Sequence, residues 1–225
     1  MPYNRVVAFG DSFTRGDELA DCSTNGRIAP HHTYSLSTWP ALIAKELGIE
    51  YDCMTIGGRG NHWISMIVST YLEKHRDALF IINWSWFERF DYIDIETGLW
   101  TVTHPRHKDQ LDHYFYKHID SEKWNLHRNL QQIHSTICLL EQNNIDFIMT
   151  CMDPMLYNKE NFVTVLQKQV NHYIVDFEDM SFLEWSKHKS FELGPNGHPL
   201  EQAHSEAASY ILDKCNKYLY NKRIE

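Results

Sequence analysis

The segment Val6-Val7-Ala8-Phe9-Gly10-Asp11-Ser12-Phe13 decides the fold that we predict for this chain. Its four apolar residues stop at a glycine, as a buried strand does when it ends in a tight turn. Gly10 is expected to permit that turn because it lacks the Cβ penalty at positive φ. Ser12 then follows the strand, with its hydroxyl at the edge of a sheet and its own backbone N–H free to face an oxygen that gains negative charge.

Further apolar runs alternate with helical patterns along the chain. Strands are predicted over 50–54, 78–84 and 145–151, and helices over 39–47, 61–75, 122–143 and 200–220. This alternation predicts an α/β fold, in which a central parallel sheet lies between two layers of helices. Ligands of such sheets bind at the carboxyl ends of the strands. That rule selects the segments 10–12, 57–61 and 83–87.

Residues 87–125 interrupt the alternation. The stretch 92–102, centred on Glu96-Thr97-Gly98, predicts a β-hairpin, and an aromatic and histidine-rich stretch follows it. No linker composition appears, so we expect one domain over 1–225 with an insertion that projects over the active edge. The insertion's histidines lack the short paired spacing of a zinc site and have no cysteine nearby, which favours a solvated or pocket-lining cluster without metal. They are His104, His107, His113 and His118.

Composition excludes several classes of function. The chain has 225 residues, 43% of them hydrophobic, and a net charge of −9, which disfavours binding to nucleic-acid phosphates. The five cysteines are scattered and show no C-x-x-C pair, so neither a disulfide framework nor a zinc site is expected. No run approaches the ~20 apolar residues of a membrane span, and residues 1–9 lack the apolar run of a signal peptide. We therefore expect a soluble, cytoplasmic protein that needs no cofactor and binds neither nucleic acid nor membranes.

A histidine near the other end of the chain is the candidate base. The segment 193–204 reads Leu-Gly-Pro-Asn-Gly-His-Pro-Leu-Glu-Gln-Ala-His, and Pro199 suits the first turn of the last helix. His198 is thus predicted on the loop before that helix, where it can reach Ser12 across one edge of the sheet. The alternatives are a Gly-Asp-Ser turn that only caps a helix, and a surface histidine at a helix start.

These segments resemble the motifs of the SGNH hydrolases, also called GDSL-like esterases. The first block is matched by Gly10-Asp11-Ser12-Phe13, the second best by Gly60 in Ile-Gly-Gly-Arg-Gly-Asn, and the last by His198-Pro199 with His204, Ala207 and Ala208. The resemblance covers nearly the whole chain in the right order. It implies a flavodoxin-like SGNH fold with Ser12 as nucleophile and His198 as base. The aromatic insertion also resembles what phage-encoded members carry.

Two positions depart from the family pattern. Ser85 occupies the place of an asparagine that donates to the oxyanion, and a serine hydroxyl is a shorter donor. Pro195 stands where the family has an Asp before the histidine, with Asn196 next to it. Since an Asp orients the imidazole and stabilises its cation, we expect Asn196 or a backbone carbonyl to assist His198, or else a weakened site. Glu192 and Asp179 are other carboxylates that the fold can deliver.

The resemblance implies two-step acyl transfer from a carboxylic ester, with the acetyl ester of a carbohydrate as the leading substrate class. The oxyanion would be bound by the N–H groups of Ser12 and Gly60 and by the Ser85 hydroxyl. Asp11, Asn61, Trp84 and Trp86 are the candidate substrate-binding residues. For the two tryptophans the alternative is a place in the core under the insertion. Two other functions stay open. One is a catalytically inactive binding module for a glycan or protein, and the other is a nucleotide or phosphate site at 57–60, which lacks both the G-x-G-x-x-G spacing and a P-loop lysine.

Overall fold

A four-stranded parallel sheet, ordered β2-β1-β3-β6, forms the centre of the molecule. The computed structural model describes residues 3–22, 34–105, 110–157 and 165–221, without the side chains of 216–221. The strands of the described region are β1 (Arg5–Gly10), β2 (Glu50–Thr55), β3 (Ala78–Trp84), β4 (Phe90–Ile93), β5 (Trp100–Thr103) and β6 (Phe147–Cys151). Its α-helices are α1 (Ser12–Arg15), α2 (Trp39–Leu47), α3 (Asn61–Leu72), α4 (Gln110–His118), α5 (Glu122–Gln142), α6 (Val165–Asn171), α7 (Phe182–His188) and α8 (Glu201–Asn221).

The two inner strands, β1 and β3, are mostly apolar because both faces of the sheet are covered. Val7 and Phe9 of β1 pack into a core layer with helices α3 and α5. Val6 points to the other face, into a layer with α2, α7 and α8. The prediction of a three-layer α/β/α sandwich is confirmed, and the carboxyl ends of β1, β2 and β3 meet at one edge as expected.

The predicted hairpin is also present. Strands β4 and β5 pair antiparallel from Phe90 opposite Thr103 to Ile93 opposite Trp100. Phe90 contacts the rings of Phe115 in α4 and Trp124 in α5, with centroids 5.1 and 5.9 Å apart. The base of the insertion is therefore packed on the domain, whereas Ile95 at the hairpin tip is 97% exposed.

None of the helices in the described ranges is both long enough and apolar enough to cross a bilayer.

Candidate active site

The nucleophile candidate lies on the turn between β1 and α1. Ser12 is the first residue of α1, and the Asp11 carboxylate caps this helix by accepting the Phe13 N–H at 3.1 Å. A Cβ on Gly10 would come within 2.2 Å of Thr14 Oγ1, so the turn requires glycine for close packing. Gly10 does not have the positive φ that the sequence analysis expected.

His198 contacts Ser12 directly. Its Nε2 lies 2.9 Å from Ser12 Oγ, a hydrogen-bond distance between residues 186 positions apart in sequence. The histidine lies on a tight turn before α8, in which the Gly194 N–H donates to the His198 carbonyl at 2.8 Å. The Phe13 ring packs against the imidazole with centroids 4.7 Å apart. The two residues that the sequence analysis selected from opposite ends of the chain are thus brought together.

A third side chain, which the sequence analysis did not identify, completes the contact. Glu18 Oε2 lies 2.8 Å from His198 Nδ1. Glu18 follows α1 in the loop toward α2, so this carboxylate comes from the segment after Ser12 rather than from Glu192 or Asp179. Burial raises the pKa of Glu18, but hydrogen bonds from the Asn196 and His198 N–H groups and from the His198 ring outweigh it, and the pKa is lowered overall.

Asn196 supports the glutamate rather than the base. Its backbone N–H donates to Glu18 Oε1 at 2.8 Å, and its side-chain amide donates to the same oxygen at 3.0 Å. The expectation that Asn196 would itself orient the imidazole is therefore corrected, because both of its donors are directed at the Glu18 carboxylate.

A second histidine lies behind this turn. His204 is only 1% exposed, and its Nδ1 accepts the Trp39 N–H at 3.1 Å at the start of α2. Burial, together with the neighbouring His198 ring, lowers the pKa of His204 to about 3. His204 is consequently neutral and acts as a cap for α2, which has no side-chain cap from its own Thr38.

The Ser85 hydroxyl is turned away from the oxyanion position that was predicted for it. Ser85 is fully buried, and its Oγ donates to Asp11 Oδ2 at 2.7 Å. Arg89 Nη1 lies 2.8 Å from the same carboxylate oxygen and 2.7 Å from Ser85 Oγ. Because the Asp11–Arg89 ion pair occupies its donor and acceptor, Ser85 supports the floor of the nucleophile turn in this structure.

The Gly60 N–H, the second predicted oxyanion donor, is bound by a carboxylate of the insertion. It donates to Asp91 Oδ1 at 2.8 Å, and the Trp63 N–H donates to Asp91 Oδ2 at 3.0 Å. Asp91 on β4 thus satisfies the first N–H groups of α3, as a helix N-terminus requires. Burial raises the pKa of Asp91 in spite of these bonds. Two of the three predicted oxyanion donors, the Gly60 N–H and the Ser85 hydroxyl, are thus bound by carboxylates of the protein.

The predicted substrate-binding residues are mostly buried. Asp11, Asn61 and Trp84 are each fully buried and cannot contact a substrate from the surface. Asn61 Oδ1 accepts the Ser85 N–H at 2.6 Å, and its amide donates to Asn129 Oδ1 at 2.8 Å, so it joins α3 to β3 and α5. Trp84 belongs to the core layer under α3 and α5. Of the four, only Trp86 keeps exposed surface while packing on the opposite layer.

Within the described ranges, no group of three or more His, Cys, Asp or Glu side chains has the arrangement of a metal site. His107 of the predicted histidine cluster lies outside the described residues.

Comparison with solved structures finds a similar fold, over nearly the whole of this chain, in proteins that include esterases. The psychrotrophic esterase EstA from Pseudoalteromonas sp. superposes with a TM-score of 0.56 at 11% identity, over 96% of this chain and 99% of EstA. TesA superposes with a TM-score of 0.52 at 12% identity, over 94% and 97% of the two chains. The acetyl xylan esterase Est2A from Butyrivibrio proteoclasticus gives 0.51 at 11% identity, over 96% of this chain and 65% of that one.

The chain shares the three-layer α/β/α fold of these esterases.

No protein-family model and no curated protein sequence matches the chain. The similarity to solved structures is therefore one of fold. Within the SGNH fold, the Ser12–His198 contact stands at the carboxyl edge of the sheet, where ligands of parallel α/β sheets bind.

Glu18 lay outside the sequence prediction because the family pattern directs attention to the residues before the histidine. A signal was nevertheless present in that segment. Pro195-Asn196-Gly197 is a turn sequence, and a turn exposes successive N–H groups that favour an anion. A carboxylate acceptor for those N–H groups could have been sought, although its position in the chain could not be inferred.

Proposed function

We propose that the protein is a serine ester hydrolase in which Ser12 attacks the ester carbonyl and His198 accepts its proton. The observation that carries this proposal is the 2.9 Å contact between Ser12 Oγ and His198 Nε2 at the edge of an SGNH-type sheet. A serine hydroxyl is a weak nucleophile until an adjacent base removes its proton. Ser12 is 8% exposed, so its hydroxyl is sheltered yet accessible.

The reaction proceeds in two steps. Ser12 Oγ forms a bond to the acyl carbon as its proton moves to His198, which then protonates the departing alcohol. Water attacks the acyl-enzyme next, with His198 again taking a proton and returning it to Ser12 Oγ. The Ser12 N–H is the donor nearest the oxyanion.

The substrate class is a short acyl ester, with a carbohydrate acetyl ester as the first candidate. This choice is supported by similarity to proteins of that kind, since Est2A is an acetyl xylan esterase. Trp86, the predicted aromatic residue with exposed surface, is suited to contact a sugar ring.

A second candidate function is a binding module on the same scaffold without turnover. It is favoured by the two predicted oxyanion donors that are already engaged, the Gly60 N–H with Asp91 and the Ser85 hydroxyl with Asp11. Loss of one such donor lowers kcat by about 10²- to 10³-fold in well-studied hydrolases.

The test is hydrolysis of p-nitrophenyl acetate and of acetylated xylan by the wild type and by Ser12→Ala and His198→Ala. Ser209→Ala and His188→Ala are matched controls, since both residues are exposed and lie on helices α8 and α7, outside the 194–198 turn. We expect turnover in the wild type and in the controls, and none above background in the two site variants. Unchanged turnover in folded Ser12→Ala would refute the proposed mechanism.

A covalent probe separates a slow enzyme from a binding module. EstA is inhibited by monoethylphosphonate, and a p-nitrophenyl phosphonate ester would react analogously here. Ser12 Oγ would bond to phosphorus, p-nitrophenolate would leave, and the serine proton would pass to His198. Mass spectrometry should find the adduct on the peptide containing Ser12. A wild type that is neither labelled nor active on either ester would favour the binding module.

A further inference from the structure

We infer that Glu18 is the acidic positioning residue of the site, supplied by the loop after the nucleophile instead of by the segment before the histidine. This inference rests on the proposed esterase function. In the family that the chain resembles, an Asp before the histidine orients the imidazole, and here Pro195 stands in that place. The acid has therefore moved to another part of the chain while keeping its contact with the ring.

The carboxylate is held from several directions. Glu18 Oε2 contacts His198 Nδ1 at 2.8 Å and accepts the His198 N–H at 3.2 Å. Glu18 Oε1 accepts the backbone and side-chain N–H groups of Asn196 at 2.8 and 3.0 Å. The exposed fractions of the Glu18 and His198 side chains are 13% and 15%, so the pair is largely withdrawn from water. Such charge-assisted bonds are stronger than neutral ones.

The local backbone is shaped to admit this one side chain. Glu18 has a φ of +73°, a left-handed conformation that non-glycine residues rarely adopt and that is found at sites where the surroundings enforce it. A Cβ on Gly194 would lie 2.7 Å from both Glu18 Cδ and Oε2, so glycine is needed there to leave room. The same loop is tied to α8, because the Ala20 N–H donates to Glu201 Oε1 at 2.9 Å.

The segment before the histidine supplies hydrogen-bond donors instead of an acid. Where the family has a carboxylate acceptor, the turn 194–198 offers N–H donors from Asn196 and His198 that all converge on Glu18. An active site is therefore compatible with Pro195-Asn196 in place of an acid, because Glu18 from the loop after α1 supplies the carboxylate and the turn binds it.

The chemical consequence is a fixed tautomer. With Nδ1–H donating to Glu18, the Nε2 lone pair faces Ser12 Oγ and can accept its proton. The carboxylate also stabilises the imidazolium that forms when the proton is transferred. Glu18 itself keeps its negative charge, in line with its lowered pKa.

The test compares Glu18→Gln, Glu18→Asp and the matched control Glu201→Gln on p-nitrophenyl acetate. Glu201 also anchors this loop, but it bonds to Ala20 rather than to the imidazole. We expect Glu18→Gln to lower kcat by ~10³- to 10⁴-fold with little change in KM, Glu18→Asp to recover part of that loss, and Glu201→Gln to stay near wild type.

These outcomes distinguish the inference from the proposed function. Turnover that disappears in Ser12→Ala but keeps its wild-type kcat in Glu18→Gln would overturn the role of Glu18 and leave the esterase intact. Equal losses in Glu18→Gln and Glu201→Gln would also overturn it, because they would reflect a general loosening of the loop.

A readout that needs no turnover covers the case of an inactive wild type. Proton NMR detects the Nδ1–H of a histidine bonded to a carboxylate as a strongly downfield resonance. We expect it in the wild type and in Glu201→Gln, and we expect it to disappear in Glu18→Gln and weaken in Asn196→Ala. Its persistence in Glu18→Gln would assign the bond to another acceptor and refute the inference.

Discussion

Replacing His204 with asparagine should change how the stability of the protein depends on pH. The His204 ring is 1% exposed, packs against Phe182 and accepts the Trp39 N–H through Nδ1. A proton added at Nδ1 would point at the Trp39 N–H, so two N–H donors would face each other in a site closed to water. The folded protein therefore resists protonation of this ring, whereas the unfolded chain does not.

The size of this pH effect on stability follows from the difference between the His204 pKa in the folded and in the unfolded state. The pKa of His204 falls from 6.5 to about 3 on folding. Because the folded-state pKa is depressed, the unfolded state binds the proton first, and stability is lost as the pH falls below 6.5 until it reaches the folded-state pKa. Each pH unit between these two pKa values costs about 1.36 kcal/mol of stability. Lowering the pH from about 7.5 to about 4.5 therefore removes about 3 kcal/mol of stability through this one group.

Asparagine removes the titration while keeping an acceptor close to the position of Nδ1. The smaller side chain leaves unfilled space and holds the Trp39 N–H less well, so the variant should be less stable near neutral pH by about 1–3 kcal/mol. The difference between wild type and His204→Asn should then shrink as the pH falls and reverse sign in acid.

Urea unfolding at a series of pH values measures both curves, and the other titrating groups cancel in the difference. His188→Asn serves as the control for the same substitution at an exposed histidine. A wild-type–variant difference that stays constant from about pH 7.5 to about pH 4.5 would mean that His204 titrates normally, and the burial argument would fail.

Three further substitutions test the site and its surroundings. Arg89→Leu should cost about 3–5 kcal/mol in urea unfolding, because it leaves the fully buried Asp11 carboxylate without its guanidinium; a loss below about 1 kcal/mol would contradict the ion pair. Gly194→Ala should lower kcat on p-nitrophenyl acetate by on the order of 10²-fold, since the new Cβ displaces Glu18, and an unchanged kcat would refute this steric argument. Ile95→Lys should alter the unfolding free energy by less than about 0.5 kcal/mol, because this side chain is 97% exposed, and a larger loss would reveal a contact at the hairpin tip.

The fold could be predicted from sequence because its elements follow the periodicity of buried strands and amphipathic helices. Strand β3 begins and ends at Ala78 and Trp84, and α2 at Trp39 and Leu47, as predicted. The start of β6 was less regular. Ile145 is buried, yet its N–H donates to Leu140 at the end of α5, and Asn144 before it has a φ of +56°. An apolar residue that closes a helix end has the same sequence signal as the start of a strand.

The pairing of Ser12 with His198 was accessible for a related reason. Parallel strands deliver their carboxyl ends to one edge, which places Ser12 there. The His198 loop lies between α7 and α8, and its place was indicated by the resemblance of 198–208 to a family motif. Glu18 could not be inferred in this way, because its position depends on a left-handed backbone at one residue and on N–H groups from a turn more than 170 residues away. Neither feature has a periodic pattern in the sequence.

The orientation of polar side chains at strand ends was the other feature that sequence could not settle. Ser85 and Asn61 follow the right strands, but they face buried partners supplied by other segments. Trp84 ends a strand that is buried on both faces, so its ring enters the core rather than the site. Strand-end position identifies candidates, while neighbouring side chains decide which of them reach the surface.

The insertion supplies side chains that bind the polar groups next to Ser12 and at the start of α3. Arg89, just before β4, pairs with Asp11 under the nucleophile turn, and Asp91 on β4 binds the N–H groups of Gly60 and Trp63. Moving the base of the hairpin away would leave the buried Asp11 carboxylate without its cation and the N-terminus of α3 without a cap. This would lower the free energy of unfolding by several kcal/mol. The base of the insertion is therefore a fixed part of the floor of the site. The geometry of Ser12 depends on residues of that segment as well as on the blocks that the family motifs describe.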